Sequence, residues 1–186
     1  MALNATIYTF TVELADTDRG LYETLDLRLA RQPSETSAYL LMRLLAYCLE
    51  YSEGIELTQG VAAGDEPAIY VRDLTGQITA WIEVGLPAAE RLHRGSKLAG
   101  RAAVYTHRDV GQLLAQYAGA RIHQADAIPI YAFDHRFVEE VAGWLERRST
   151  ISLAVADRQL YLTVGERTLT SAFVEHRISQ TPHSQR

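Results

Sequence analysis

Two carboxylate residues, Asp65 and Glu83, have the spacing to share one divalent cation. Asp65 precedes, and Glu83 nearly ends, a predicted strand–turn–strand unit over residues 68–84, in which Asp-Leu-Thr-Gly supplies the turn. A hairpin brings the ends of its strands together, so we expect the two side chains to converge. Carboxylate oxygens are the ligands that Mg²⁺ prefers, and a bound cation can activate water for phosphoryl chemistry. The pattern therefore predicts a metal site at one end of this hairpin.

The elements before this hairpin follow from apolar periodicity. Apolar and polar residues alternate over 4–14 and 22–30, which predicts an antiparallel β-hairpin. Residues 39–51 carry a wide apolar stripe at helical spacing, and Ser34 is the predicted N-cap of that helix. This first helix is predicted to be largely buried.

Strands and helices alternate after the hairpin, which indicates a partly parallel sheet. The predicted helices are 88–98, 110–117 and 136–147, and the predicted strands are 102–105, 128–133, 151–156, 160–164 and 168–175. We therefore predict an α/β fold of mixed α+β character. It has a mixed central sheet flanked by helices on both faces, with an extra N-terminal hairpin and extra C-terminal β strands around it.

Four segments resemble those of the YaeQ family, a variant of the PD-(D/E)XK nuclease superfamily. They are Pro-Ser-Glu-Thr at 33–36, residues 41–47, Asp-Glu-Pro at 65–67 and residues 81–87. The resemblance implies a restriction-endonuclease-like fold. It also implies that Glu35, on the first helix, joins Asp65 and Glu83 to hold Mg²⁺ or Mn²⁺ for cleavage of DNA or RNA.

The chain departs from the superfamily pattern at one position. Where the pattern has a lysine two positions after the second acid, this chain has Gly85. That lysine positions or activates the attacking water. We expect Arg94 or Lys97, on the following helix, to replace it, and Arg43 and Arg91 are candidates for contacting phosphate or balancing the acids.

Each of the three acids has a competing structural explanation. Glu35 can interact with the dipole of the first helix, and Asp65 can be held by its own turn. Glu83 is unusual at the end of an apolar strand, but a salt bridge with Arg43 would account for it. The basic helix face that follows can simply be solvated.

The remaining reactive residue types favour structural roles. The six histidines lack the spacing of a zinc site, and His135 is predicted at the surface. Cys48 lies on the predicted buried helix face, where an inert thiol is expected. The strand residues Tyr70, Tyr105 and Tyr131 are predicted as sheet or core aromatics, with base stacking as the alternative.

The composition is typical of a globular α/β chain. The 186 residues are 47% hydrophobic, and the net charge of −5 disfavours broad, non-specific nucleic-acid binding without excluding a local basic patch. The single cysteine excludes an internal disulfide, and the sequence shows neither a targeting signal nor an apolar run that could span a membrane. We expect a cytoplasmic protein with one domain over residues 1–178 and a flexible tail over 179–186.

Three functions are compatible with these residues. The first is a metal-dependent nuclease or phosphodiesterase with a variant active site. The second is a nucleic-acid-binding module that keeps the fold without turnover. The third is an interaction or regulatory module with a protein partner, in which the acids and Arg43 form a structural ion-pair network.

Overall fold

The computed structural model describes residues 4–60 and 64–179, and in these ranges it has a ten-stranded sheet and four α-helices. The strands are β1 (Thr6–Asp16), β2 (Leu21–Arg31), β3 (Ile55–Leu57), β4 (Ile69–Arg72), β5 (Ile78–Val84), β6 (Arg101–Thr106), β7 (Pro129–Phe133), β8 (Arg148–Ala156), β9 (Gln159–Val164) and β10 (Arg167–Arg177). The helices are α1 (Ser37–Leu49), α2 (Ala89–Leu98), α3 (Val110–Ala118) and α4 (His135–Ala142), and a 3-10 turn lies at Ala125–Ala127. Residues 180–186 of the predicted tail lie outside the described residues.

The N-terminal hairpin follows from the alternation of apolar and polar residues. β1 and β2 pair antiparallel along all 11 residues of each strand. Alternate side chains are buried, namely Phe10, Val12 and Leu14 on β1 and Leu25, Leu27 and Leu29 on β2. The predicted hairpin is confirmed.

All ten strands form one continuous sheet in the order β2-β1-β8-β9-β10-β7-β6-β5-β4-β3. Neighbours are antiparallel except for the β1/β8, β5/β6 and β6/β7 pairs, which are parallel. The mixed sheet is therefore confirmed. The N-terminal hairpin and the C-terminal strands extend the same sheet through the β1/β8 pair, whereas the sequence predicted them as a surround.

Helix α1 lies inside the curve of the sheet, and nine of its 13 residues are buried. Its apolar side chains belong to a core that also takes residues from α4 and from strands along the whole sheet. Each fully buried leucine contributes about 1.5–3 kcal/mol relative to exposure, so the helix and the sheet stabilise each other. α1 is also the longest helix in the described ranges, where no helix is long and apolar enough to cross a membrane.

Helices α2 and α3 pack on the opposite face of the sheet. They form a second core with buried residues of β4–β7. Alternation along β5 directs Ile82 and Val84 into the first core and Trp81 into the second. Glu83 shares the face of Trp81, which is the face that α2 covers.

Two predicted helix boundaries are wrong. Thr36 is the N-cap of α1, since its hydroxyl accepts a hydrogen bond from the Tyr39 N–H at 3.0 Å, and Ser34 lies before the cap. Glu35 therefore precedes the helix and is not in its first turn. α4 ends at Ala142 and not near residue 147, because Gly143 follows and the chain must turn into β8.

Arg43 of α1 connects the two outer strands of the sheet. Its guanidinium donates to the Ala30 carbonyl of β2 at 2.9 Å and to the Thr58 carbonyl, just after β3, at 2.8 Å. Residues of β2 and β3 also line one cleft of about 600 Å³ between the two strands. The sheet thus curves until it is nearly closed, and a fully buried arginine of the enclosed helix bonds to both sides of the gap.

We expect Arg43→Met to lower the free energy of unfolding by about 3–5 kcal/mol, because it leaves the buried Glu35 carboxylate without its countercharge. Urea unfolding followed by circular dichroism measures this loss. Arg28→Met is the matched control, since Arg28 is exposed on β2, and it should change stability by less than about 0.5 kcal/mol. Equal losses in the two variants would contradict the role given to Arg43.

Candidate functional site

Glu83 is held where β5 ends and α2 begins. Gly85 follows the strand with a φ of +89°, and its N–H donates to the Tyr105 carbonyl of β6 at 2.9 Å. That left-handed conformation favours glycine and is unfavourable for the lysine that the nuclease pattern places there. The chain then turns into α2, whose first turn brings Arg91 beside Glu83.

The Glu83 carboxylate is 4% exposed and accepts two N–H groups on one oxygen. Its Oε1 accepts from Trp81 Nε1 at 2.9 Å and from Arg91 Nε at 3.1 Å, while Oε2 lies 3.5 Å from Arg91 Nη2. Burial raises the pKa of Glu83, and the Arg91 charge and the Trp81 hydrogen bond act in the opposite direction. The carboxylate is therefore desolvated but partly compensated.

Arg91 also positions the loop that carries Asp65. Its guanidinium donates to the Gly64 carbonyl and, at 2.6 Å, to the Glu66 carbonyl. One side chain therefore bonds on one side to Glu83 and on the other to the main chain before β4. The predicted phosphate or charge-partner candidate Arg91 is the direct partner of Glu83.

An open cavity of about 330 Å³ lies beside this pair and is lined by Tyr39, Gly60, Glu83 and Arg91 among others. Burial is the main cause that raises the pKa of the Tyr39 hydroxyl to about 12. The charge of Arg43 opposes this rise, those of Glu35 and Glu83 add to it, and that of Arg91 opposes it. Two acid–arginine pairs thus act on one tyrosine at the cavity wall. The hydroxyl is protonated near neutral pH and can donate a hydrogen bond.

Glu35 lies behind Gly60 in a closed environment. Its Oε2 is 3.3 Å from Arg43 Nη1, and both side chains are 0% exposed. The same oxygen accepts the Gln32 N–H at 3.2 Å. A Cβ added at Gly60, which has a φ of +71°, would lie 2.1 Å from Glu35 Oε1, so only glycine fits between the carboxylate and the cavity.

Asp65 and the basic residues of α2 lie at the surface. Asp65 pairs with Arg94 at 3.0 Å, and its side chain is 91% exposed. The Arg94 charge also opposes the rise in the Glu83 pKa that burial causes, although less than Arg91 does. Lys97 lies in the last turn of α2 and is exposed.

The three predicted acids therefore lie in three separate ion pairs around one region of the molecule. Glu83 pairs with Arg91, and the predicted Glu83–Arg43 salt bridge is wrong because Arg43 pairs with Glu35. Within residues 4–60 and 64–179, the one group of ligand side chains close enough to share an ion lies elsewhere, at His107, His135 and Glu139. The sequence signal for Arg91 was its place in the first turn after the strand that ends with Glu83, and Trp81 was not identified as a bonding partner.

Comparison with known proteins identifies the family. The family model described as YaeQ protein matches residues 1–173. The chain belongs to the YaeQ family. Among its relatives, the uncharacterized protein YaeQ of Escherichia coli strain K12 is 32% identical over 164 residues, which are 88% of this chain and 91% of the relative. The protein of that name from Salmonella typhi is 30% identical over the same shares of both chains.

Solved structures of the YaeQ family share the fold. The crystal structure of YaeQ protein from Pseudomonas syringae superposes with a TM-score of 0.83 at 26% identity, covering 95% of this chain and 97% of that chain. The crystal structure of the YaeQ protein from Xanthomonas axonopodis pv. citri also gives a TM-score of 0.83 at 26% identity, covering 96% and 99%. The resemblance to the YaeQ family predicted from the sequence is therefore confirmed.

We expect the Glu83 carboxyl of this YaeQ-family protein to titrate above the ordinary glutamate value of 4.5, because burial disfavours its charged form. NMR titration of the carboxyl carbon measures the midpoint. Arg91→Met should raise it further by removing the neighbouring positive charge, and Arg94→Met should raise it less. A wild-type midpoint at or below 4.5 would contradict the assigned environment.

The same raised pKa fixes the sign of a pH effect on stability. The folded state binds the Glu83 proton more tightly than the unfolded state does. The stabilisation of the folded state by this proton is therefore fully present at a pH below the unfolded pKa. It is lost as the pH rises through the folded pKa.

We expect Gly60→Ala to lower the free energy of unfolding by about 1–3 kcal/mol more than Gly20→Ala does, because the added methyl group collides with Glu35. Both glycines have a positive φ, so both variants carry the same kind of backbone penalty. A Cβ at Gly20 meets nothing within 4 Å, which makes this variant the control for the clash alone. Equal losses in urea unfolding would rule out close packing of Gly60 on the ion pair.

Proposed function

We propose that the Glu83 cavity is a divalent-metal-dependent phosphodiesterase site that acts on nucleic acid, on a variant of the PD-(D/E)XK arrangement. The observation that carries the proposal is the buried Glu83 near the end of the β4–β5 hairpin, with Arg91 at 3.1 Å and an open cavity beside both. A carboxylate with a perturbed pKa in a cavity beside a fixed cation is a common feature of catalytic sites.

The Glu83 carboxylate at the cavity fits Mg²⁺ or Mn²⁺, since these ions prefer oxygen ligands. Mg²⁺ is commonly bound by one or two carboxylates together with waters and substrate phosphates, so three converging acids are not required. Glu83 Oε2, whose Arg91 contact is 3.5 Å long, would be one ligand. Asp65, exposed on the neighbouring loop, would be the second.

Glu35 stays a predicted third ligand, but its carboxylate would have to move to reach the cavity. Its carboxylate is fully covered and lies against Gly60. Coordination by Glu35 would require Gly60 to move and the bond to Arg43 to weaken. In its present position Glu35 contributes negative charge at the back of the cavity.

Arg91 would take the place of the missing lysine. A guanidinium is always charged and presents a planar fork that matches a phosphate group. Moving from Glu83 to an incoming phosphate would leave the Glu83 carboxylate free for a cation or a proton. Tyr39 would donate its hydroxyl to a phosphate oxygen, and Arg94 and Lys97 would contact the strand outside the cavity.

A bound divalent cation would polarise the phosphate and lower the pKa of an attacking water. The chain's own residues would bind the phosphate, orient it and keep bulk water from Glu83. As a ligand of that cation Glu83 would be ionised, because carboxylates coordinate metals in the deprotonated form.

A second candidate function is a nucleic-acid-binding module without turnover. It is favoured over turnover by the observation that each predicted acid already pairs with an arginine, which a metal ion would have to displace, at 3.3 Å for Glu35, 3.1 Å for Glu83 and 3.0 Å for Asp65. Three satisfied pairs suit a structural network as well as a reactive site.

Cleavage assays test the proposal. Wild-type protein is incubated with plasmid, single-stranded DNA and RNA, with Mg²⁺, with Mn²⁺ and with a chelator. We expect cleavage that depends on the metal and falls at least about a hundredfold in Glu83→Gln, the scale expected for a positioned catalytic group. Glu90→Gln, an exposed acid on the first turn of α2, should retain activity.

Variants of Arg91 and a strand-binding assay together separate the two candidate functions. Arg91→Lys should keep more activity than Arg91→Met, because it preserves a charge near the phosphate. Binding of labelled strands without cleavage under every metal condition would favour the module without turnover. Neither binding nor cleavage would exclude both and leave the regulatory interaction role.

A further inference from the structure

A second cluster of ligand side chains lies at the carboxyl ends of two parallel strands. His107 directly follows β6, and His135 begins α4 after β7. β6 and β7 are paired neighbours, so these two positions meet at one edge of the sheet. Glu139 lies one helical turn after His135, at the i+4 position that shares its face.

The three side chains approach one another closely. The two imidazole rings stack with centroids 5.6 Å apart and an angle of 2° between their planes. One ligand atom from each of the three residues lies within 4.8 Å of the others. His107 Nε2 is 3.8 Å from Glu139 Oε1, too long for a hydrogen bond. Two ligands of one tetrahedral zinc ion lie about 3.4 Å apart, since each metal bond is about 2.1 Å, so binding would draw these side chains closer together.

His107 has an unusual environment for a polar ring. Its side chain is 6% exposed, and its Nδ1 is buried without a hydrogen-bond partner among the described residues. Buried polar atoms in native proteins are nearly always bonded, so a ring whose Nδ1 is unbonded among the described residues and whose Nε2 lies 3.8 Å from the Glu139 carboxylate suggests a ligand at this ring.

We propose that His107, His135 and Glu139 bind one divalent transition-metal ion of the zinc class. Two imidazoles and a carboxylate suit Zn²⁺ or Co²⁺ better than Mg²⁺, which prefers an all-oxygen shell. His135 is exposed and the Glu139 side chain is 54% exposed, so the outer coordination positions face solvent. Three protein ligands with an open position are typical of reactive zinc sites.

This site is separate from the Glu83 cavity. Glu83 lies on the face of the sheet that α2 covers, whereas Glu139 belongs to α4, which packs with the first core on the other face. The inference therefore goes beyond the proposed phosphodiesterase function. The two sites also differ in donor chemistry, one all-oxygen and the other mostly nitrogen.

Titration of tag-free, metal-stripped protein tests the inference. We expect calorimetry to give one saturable Zn²⁺ site, and Co²⁺ to give visible absorption bands that change on coordination by histidine. His135→Ala and Glu139→Gln should each weaken Zn²⁺ binding tenfold or more. All the substituted side chains in this series are exposed, so folding should be preserved.

Glu140→Gln is the matched control, because Glu140 is the next residue on α4, is exposed and lies outside the cluster. It should bind Zn²⁺ as the wild type does. No saturable Zn²⁺ binding by the wild type, or binding that His135→Ala leaves unchanged, would overturn the inference. Because the cleavage assays use Mg²⁺ and Mn²⁺ and the Glu83 variant, their failure and the failure of this inference are distinguishable.

Discussion

The buried ion pair between Arg43 and Glu35 determines how the rest of the molecule is arranged. A charged pair with 0% exposure depends on hydrogen bonds to its other polar atoms, and Arg43 Nη1 and Nη2 donate to main-chain carbonyls on both sides of the sheet gap. The Arg43 Nε is buried without a hydrogen-bond partner among the described residues. The bonds fix α1 inside the sheet. Tyr39, one turn earlier on the same helix, is thereby placed on the cavity wall next to Glu83.

The same balance of charges extends through the candidate site. Each acid pairs with a different arginine, and Glu35–Arg43 and Glu83–Arg91 each span eight positions of the chain. The Asp65–Arg94 pair connects the loop before β4 with α2. Arg91 is the most versatile of these, since it bonds Glu83 and two main-chain carbonyls at once. Any cation that enters the cavity competes with the Arg91 guanidinium, which already pairs with Glu83. The affinity of the cavity for a cation therefore depends on whether Arg91 can pair with another anion.

Local pattern predicted the elements well, and tertiary pairing explains what it missed. Alternation gave the first hairpin, and helical spacing gave the buried α1, because both depend on which side chains face the core. The β1/β8 pair leaves no local signal, so the strands expected around the sheet joined it. Arg91 was among the predicted charge partners, but which arginine pairs with which acid was not predicted, because a salt bridge across elements depends on packing. His107 and His135 were dismissed for the same reason, as they meet only through the parallel strands β6 and β7.

The parallel pair of β1 and β8 has a consequence for the order of folding. During synthesis, β1 and β2 emerge first and can pair at once, with α1 available to cover their apolar face. The other edge of β1 has no partner until β8 follows, after all four helices. Contacts over so long a stretch of chain form slowly because the intervening loop must close first. The first strand made is therefore among the last to be fully paired, and its open edge is the part of the nascent chain most exposed to wrong partners.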